Sequence, residues 1–136
     1  MPVYRLSEAA ALLGVSDDTL RRWADQGRVP TTTAPGGAAG VDGRELAALA
    51  ADRAHFGAPG TGSSTTGSST TSARNRLRGI VTGVTRDTVM AQVDLCCGPY
   101  RVVSLMSREA ADALDLQPGV VADAVVKATT VVVDRP

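Results

Sequence analysis

Gly57-Ala58-Pro59-Gly60-Thr61-Gly62-Ser63-Ser64-Thr65-Thr66-Gly67-Ser68-Ser69-Thr70-Thr71 divides this chain in two. The tract has no charge, no aromatic ring and no aliphatic side chain larger than alanine. Ordering its backbone would cost roughly 1–2 kcal/mol per residue, with almost no apolar burial in return. It reads as a linker with a root-mean-square span of about 20 Å. The 136 residues are therefore expected to form two small domains, 1–56 and 72–136, joined by a flexible linker over 57–71. Each lies near the lower size limit for independent folding, so self-association is expected to supply further apolar burial. Phe56 is the only phenylalanine and Trp23 the only tryptophan, which leaves Leu, Val and Ala to build both cores.

The formal net charge is zero, and residues 1–53 carry six basic and seven acidic side chains. This excludes a blanket polycation, so any contact with nucleic acid has to come from a local cluster. Cys96 and Cys97 are adjacent, a spacing that suits neither a disulfide framework nor a CxxC site. No signal-like or membrane-length apolar run is present, so a cytoplasmic location without a membrane partner is expected. His55 is the only histidine, and no nucleophile-base-acid set accompanies it. The chain does not read as an enzyme.

In the N-terminal half, Ser7 is placed to cap a helix through Leu13, with Glu8 in its first turn. Gly14 supplies the turn. Ser16 caps a second helix, with Asp17 and Asp18 near its positive end. Leu20, Trp23 and Ala24 follow the spacing of a buried face and leave Thr19, Arg21, Arg22 and Gln26 more exposed. A third helix is expected from Asp42, with Leu46, Ala47, Leu49 and Ala50 turned inward. Two short helices around a tight turn fit a helix into a DNA major groove. By spacing alone, a three-helix bundle with a solvated face remains equally open.

The stretch from Tyr4 to Trp23, with Gly27-Arg28-Val29-Pro30, resembles the winged helix-turn-helix of the MerR and excisionase families. That resemblance implies a winged fold and double-stranded DNA as partner, with Ser16, Thr19, Arg21, Arg22 and Arg44 as candidate contacts. The wing departs from the family pattern. It has Ala38, Ala39, Gly40 and Val41 where basic and aromatic residues are expected, and fewer phosphate contacts mean a shallower salt dependence.

The C-terminal half opens with Ser72-Ala73-Arg74-Asn75-Arg76-Leu77-Arg78-Gly79 and continues in strand alternation, clearest in Val89, Ala91, Val93 and Leu95. Arg86-Asp87 and Cys97-Gly98-Pro99 mark turns. A strand over Tyr100–Met106 leads to a helix capped by Ser107. Val120–Lys127 is a further strand, and Thr130-Val131-Val132-Val133 is expected to close the sheet. The result is a mainly β, oligonucleotide-binding-like small barrel with one inserted helix. Tyr100 is its only aromatic residue, which disfavours generic single-stranded nucleic-acid binding.

Ser72, Arg74, Asn75, Ser104, Ser107, Lys127, Thr129 and Thr130 are rich in donors and fall at strand ends. A tetrahedral dianion needs several charge-assisted hydrogen bonds and one or two cations to offset its desolvation. Capping and surface hydroxyls would account for the same residue types.

The order of these motifs resembles the Mop or TOBE domain, which binds molybdate or tungstate. The match includes Ser72-Ala73-Arg74-Asn75, Val103-Ser104-Leu105-Met106-Ser107, Leu116-Gln117-Pro118-Gly119 and Val125-Val126-Lys127-Ala128-Thr129. It implies an oxyanion held by Ser72, Arg74, Asn75, Ser104 and Lys127, with backbone amides and a hydroxyl near Ala128-Thr129. No direct protein-to-metal ligand and no organic cofactor are implied. Sites in this family lie between subunits or paired domains, so a single copy is expected to assemble as a dimer or hexamer. The leading expectation is a molybdate- or tungstate-responsive transcriptional regulator. The alternative is a buffering or storage protein with a vestigial helix-turn-helix.

Overall fold

The computed structural model describes residues 1–55 and 71–136. The expected linker lies outside them, apart from Thr71. The N-terminal half contains β1 (Val3–Arg5), α1 (Leu6–Leu13), α2 (Asp17–Asp25), β2 (Thr32–Thr33), β3 (Ala39–Asp42) and α3 (Gly43–His55). Its strands form an antiparallel sheet in the order β1-β3-β2.

Local chemistry sets the helix boundaries. The Arg5 N–H donates to the Glu8 carboxylate at 3.0 Å, which starts α1 at Leu6 with Arg5 as the extended capping residue. Ser7, expected as the cap, therefore lies inside the first turn. Gly14 ends α1 at φ 71°, a left-handed conformation open to glycine at little cost. Ser16 Oγ accepts from the Thr19 N–H at 3.2 Å and caps α2. Asp42 accepts from the Arg44 N–H at 2.9 Å where α3 begins.

The C-terminal half contains β4 (Asn75–Arg86), β5 (Met90–Cys97), β6 (Tyr100–Ser107), α4 (Arg108–Ala113) and β7 (Val121–Val126). The strands pair antiparallel in the order β6-β5-β4-β7 and form a half-barrel with α4 inserted after β6. Asp87 shapes the first hairpin by accepting from the Val89 and Met90 N–H groups at 2.8 and 2.6 Å. Ser107 caps α4 through the Ala110 N–H at 3.1 Å.

The last valines depart from expectation. Thr130 turns its N–H and hydroxyl back onto the Lys127 carbonyl at 3.0 and 2.8 Å. Residues Ala128–Thr130 become a single 3-10 turn, and the chain leaves the sheet. Val132 and Val133 are 90% and 88% exposed. Residues 130–133 do not close the sheet, and β6 and β7 remain its two edges.

The sheet is buried on both faces where Ile80 and Val81 lie against Cys96 and Leu95. Val81, Ala91, Val93, Leu95 and Cys97 pack with Ala111 and Leu116 inside the half-barrel. Ile80 and Cys96 point the other way and join Leu13, Leu20, Val41, Leu46 and Ala50 in one core. The two halves thus share a hydrophobic core. Tyr4 Oη donates to the Gly119 carbonyl across this seam at 2.8 Å. The backbones also meet there, for a Cβ on Gly43 would lie 2.6 Å from the Gly119 oxygen.

Ile80 is fully buried at the seam. Ile80→Ala is expected to cost about 2–5 kcal/mol and to raise amide exchange in both halves together. Thermal melts and hydrogen exchange check this. A loss confined to residues 75–126 would contradict the shared core.

Candidate functional site

Ser72, Arg74 and Asn75 lead into β4, whereas Lys127, Ala128 and Thr129 follow β7. Antiparallel pairing of Asn75 with Val126 sets these two ends side by side. The Asn75 amide fixes the junction by donating to the Val126 carbonyl at 3.2 Å. All six residues are exposed, so their donors are open to an incoming ligand.

Ser104 stands on β6, which faces β7 across a cleft of the half-barrel. It pairs with Val93, which pairs with Val84, nine positions along β4 from Asn75. That separation is about 30 Å of strand path. Ser104 is half-buried in β6 and lines a cleft of about 530 Å³ between the two sheet edges, with Val102, Met106, Leu114 and Val126. Six of the seven expected oxyanion residues thus lie at or next along the chain to the Asn75–Val126 pair, and Ser104 lies on β6.

Electrostatics separates the cations of this region. Asp123 binds Arg76 at 2.9 Å and Arg78 at 3.1 Å. The hydrogen bond from Arg78, reinforced by Arg76, holds the Asp123 carboxyl below its usual range. Those two guanidinium groups share one carboxylate, which offsets one of their two charges. Among the described residues, no carboxylate lies within ion-pair distance of Arg74 or Lys127. Arg74 Nη1 donates to the Thr71 carbonyl at 3.2 Å. Two uncompensated cations beside an amide and hydroxyls are suited to a small dianion.

The cysteines lie elsewhere. Burial, aided by Cys96 and Asp123, pushes the Cys97 thiol up to about 11. Cys96 faces the shared core and donates to the Gly98 carbonyl at 3.1 Å. Among the described residues, no group of three or more His, Cys, Asp or Glu could hold a metal ion. No helix there is long and apolar enough to cross a membrane.

On α2, Arg21 and Arg22 are exposed while Leu20 is fully buried, so both arginines point away from the core. Ser16 and Thr19 share a hydroxyl contact of 2.8 Å at the helix start. Arg44 stands in the first turn of α3, beyond the wing. Two cations escaped the sequence reading. Arg28 stacks over the Trp23 ring, 5.1 Å from its centre, and Arg5 reaches the wing tip. The Trp23 to Arg28 spacing spans a helix end, so no helical periodicity could signal that contact.

Residues 3–54 match the family model described as a helix-turn-helix domain, and residues 71–133 match the TOBE domain. The chain has an N-terminal helix-turn-helix domain and a C-terminal TOBE domain. The N-terminal match is to helix-turn-helix domains at large, without the narrower MerR or excisionase assignment. A molybdate binding protein from Sporomusa ovata is 31% identical over 49% of this chain and 100% of its own, with a TM-score of 0.48. MopII from Clostridium pasteurianum, in a structure titled apo2, is 34% identical over 48% of this chain and 100% of its own, with a TM-score of 0.45. No curated protein matches the chain significantly.

Asp123 sets a pH test of this end of the sheet. Its folded-state pKa is depressed, so its contribution to stability is present above the ordinary carboxylate pKa and is lost as pH falls through the folded value. Asp123→Asn is expected to lower the melting temperature at neutral pH and to shrink its further fall in acid. Melting curves from neutral pH to below the carboxylate range check this. An unchanged acid limb would contradict the role of the pair.

Proposed function

We propose that this protein is a molybdate- or tungstate-responsive DNA-binding transcriptional regulator, a binding protein rather than an enzyme. The carrying observation is the Asn75–Val126 register, which joins the chain segment of Ser72 and Arg74 to that of Lys127 and Thr129 at one end of the sheet and supports a shared site. The sequence identity to a molybdate binding protein supports the choice of anion. In this reading residues 1–56 read DNA, 57–71 link, and 72–136 bind the anion. Ser72, Arg74, Asn75, Lys127, Ala128 and Thr129 come from one copy, and Ser104 from another.

The assembly is a dimer or hexamer formed through the TOBE domain. Its open β6 and β7 edges and the exposed Val103, Leu105, Leu114, Val132 and Val133 support self-association. The DNA contacts follow the MerR and excisionase resemblance, with α2 in the major groove, Arg21 and Arg22 reaching it, Ser16 and Thr19 at the helix start, and Arg44 beyond the wing. The location is cytoplasmic, which suits a DNA partner and the adjacent Cys96 and Cys97, a spacing that makes no disulfide framework.

A second reading is a molybdate or tungstate buffer with a vestigial helix-turn-helix. It is favoured by the wing, since residues 29–41 contain no charged side chain.

Titration calorimetry with molybdate, tungstate and sulfate tests the anion site. Lys127→Ala or Arg74→Ala is expected to remove a charge-assisted contact worth about 1.5–3 kcal/mol, or ten- to a hundredfold in affinity. Folding should be nearly unaffected, because both side chains are exposed. Absence of heat with molybdate and with tungstate would remove both readings.

A further inference from the structure

We infer that Arg5 supplies the wing's missing phosphate contact on double-stranded DNA, a step that rests on the DNA-binding reading above. The wing hairpin, β2 and β3 with the turn between them, carries no cation of its own. Arg5 lies on β1, directly opposite Gly40 of β3. A Cβ on Gly40 would lie 2.8 Å from Ala34 Cβ and 3.0 Å from Val3 Cγ1, so these small side chains cover that position and the long Arg5 side chain runs on past it. The Arg5 side chain extends to the wing tip, where a Cβ on Gly36 would lie 3.6 Å from Nη2.

The guanidinium is also available. Arg5 is exposed, and among the described residues no carboxylate lies within ion-pair distance of it. Its bond to Glu8 is made by the backbone N–H, so the helix cap does not consume the charge. Residues 1–53 carry one more acidic than basic side chain. Each free cation near the DNA face therefore counts heavily towards phosphate affinity. A positive charge at the tip of an apolar, glycine-rich hairpin can approach a phosphate closely without bulky neighbours. Such a contact positions the module on the duplex and carries no sequence information.

The test measures binding of the full chain to two unrelated mixed-sequence duplexes across a salt series. Arg5→Gln is expected to weaken binding several-fold on both duplexes. It should also reduce the slope of log affinity against log salt by about 0.9 for each lost phosphate contact. Arg5→Lys should restore most of that slope, because the charge rather than the fork makes the contact. Melting curves should match the wild type, since the cap uses only the backbone. Unchanged affinity and slope in Arg5→Gln would overturn the inference while leaving DNA binding in place. A loss confined to one duplex would overturn it too, as base reading. If the wild type binds neither duplex at low salt, the DNA-binding reading falls and this inference with it.

Discussion

Everything in this molecule depends on β4 and β5 having two apolar faces. In a sheet exposed on one side, alternate residues would be polar. Here Ile80 and Val81 are adjacent and both fully buried, as are Cys96 and Cys97 within a few per cent. One of each pair fills the half-barrel and the other fills the core shared with the helices. Burying an aliphatic side chain of this size contributes about 1.5–3 kcal/mol, a large share of the stability of a domain this small. Neither half could expose that face to water without losing it. The shared core therefore fixes the helix-turn-helix against the sheet whatever joins the two along the chain.

This packing gives the proposed regulator a physical connection. β7 leads into Lys127 at one end and emerges at the other from the Gly119 turn, which touches Tyr4 and Gly43. One six-residue strand thus spans from the proposed anion site to the seam beneath the DNA-reading helices. Coupling still requires the anion to bind differently in the DNA-bound and free states. Completion of the site by Ser104 of another copy would provide such a difference, because a second copy also sets the separation of two DNA modules. Those modules engage one duplex together only at a permitted spacing.

Much of the local structure was legible because short-range chemistry determines it. Ser16 and Ser107 cap helices as their positions predict, the third helix begins one residue after Asp42, Asp87 shapes its hairpin, and Gly14 takes the left-handed turn. Ser7 misled because Glu8 captures the Arg5 N–H one turn earlier. Thr130–Val133 misled because a valine run has strand propensity, but the threonine hydroxyl and N–H turn the chain onto Lys127. The candidate site was legible where residues meet through one register, as at Asn75 and Val126. For Ser104 three strand registers in succession, and the curl that sets β6 opposite β7, decide its position, and no local pattern encodes them. The seam escaped because Ile80 and Cys96 find their partners in the other half, and no local period encodes that. Arg5 reaches the wing only through the β1–β3 pairing.

The most direct test of a molybdate-responsive regulator is selection of genomic DNA fragments by the full chain, with and without molybdate. The account predicts a defined set of enriched sequences whose recovery changes with molybdate on the order of tenfold, a typical magnitude for coupling between two sites. Enrichment unaltered by molybdate, or none at low salt in either condition, would contradict it.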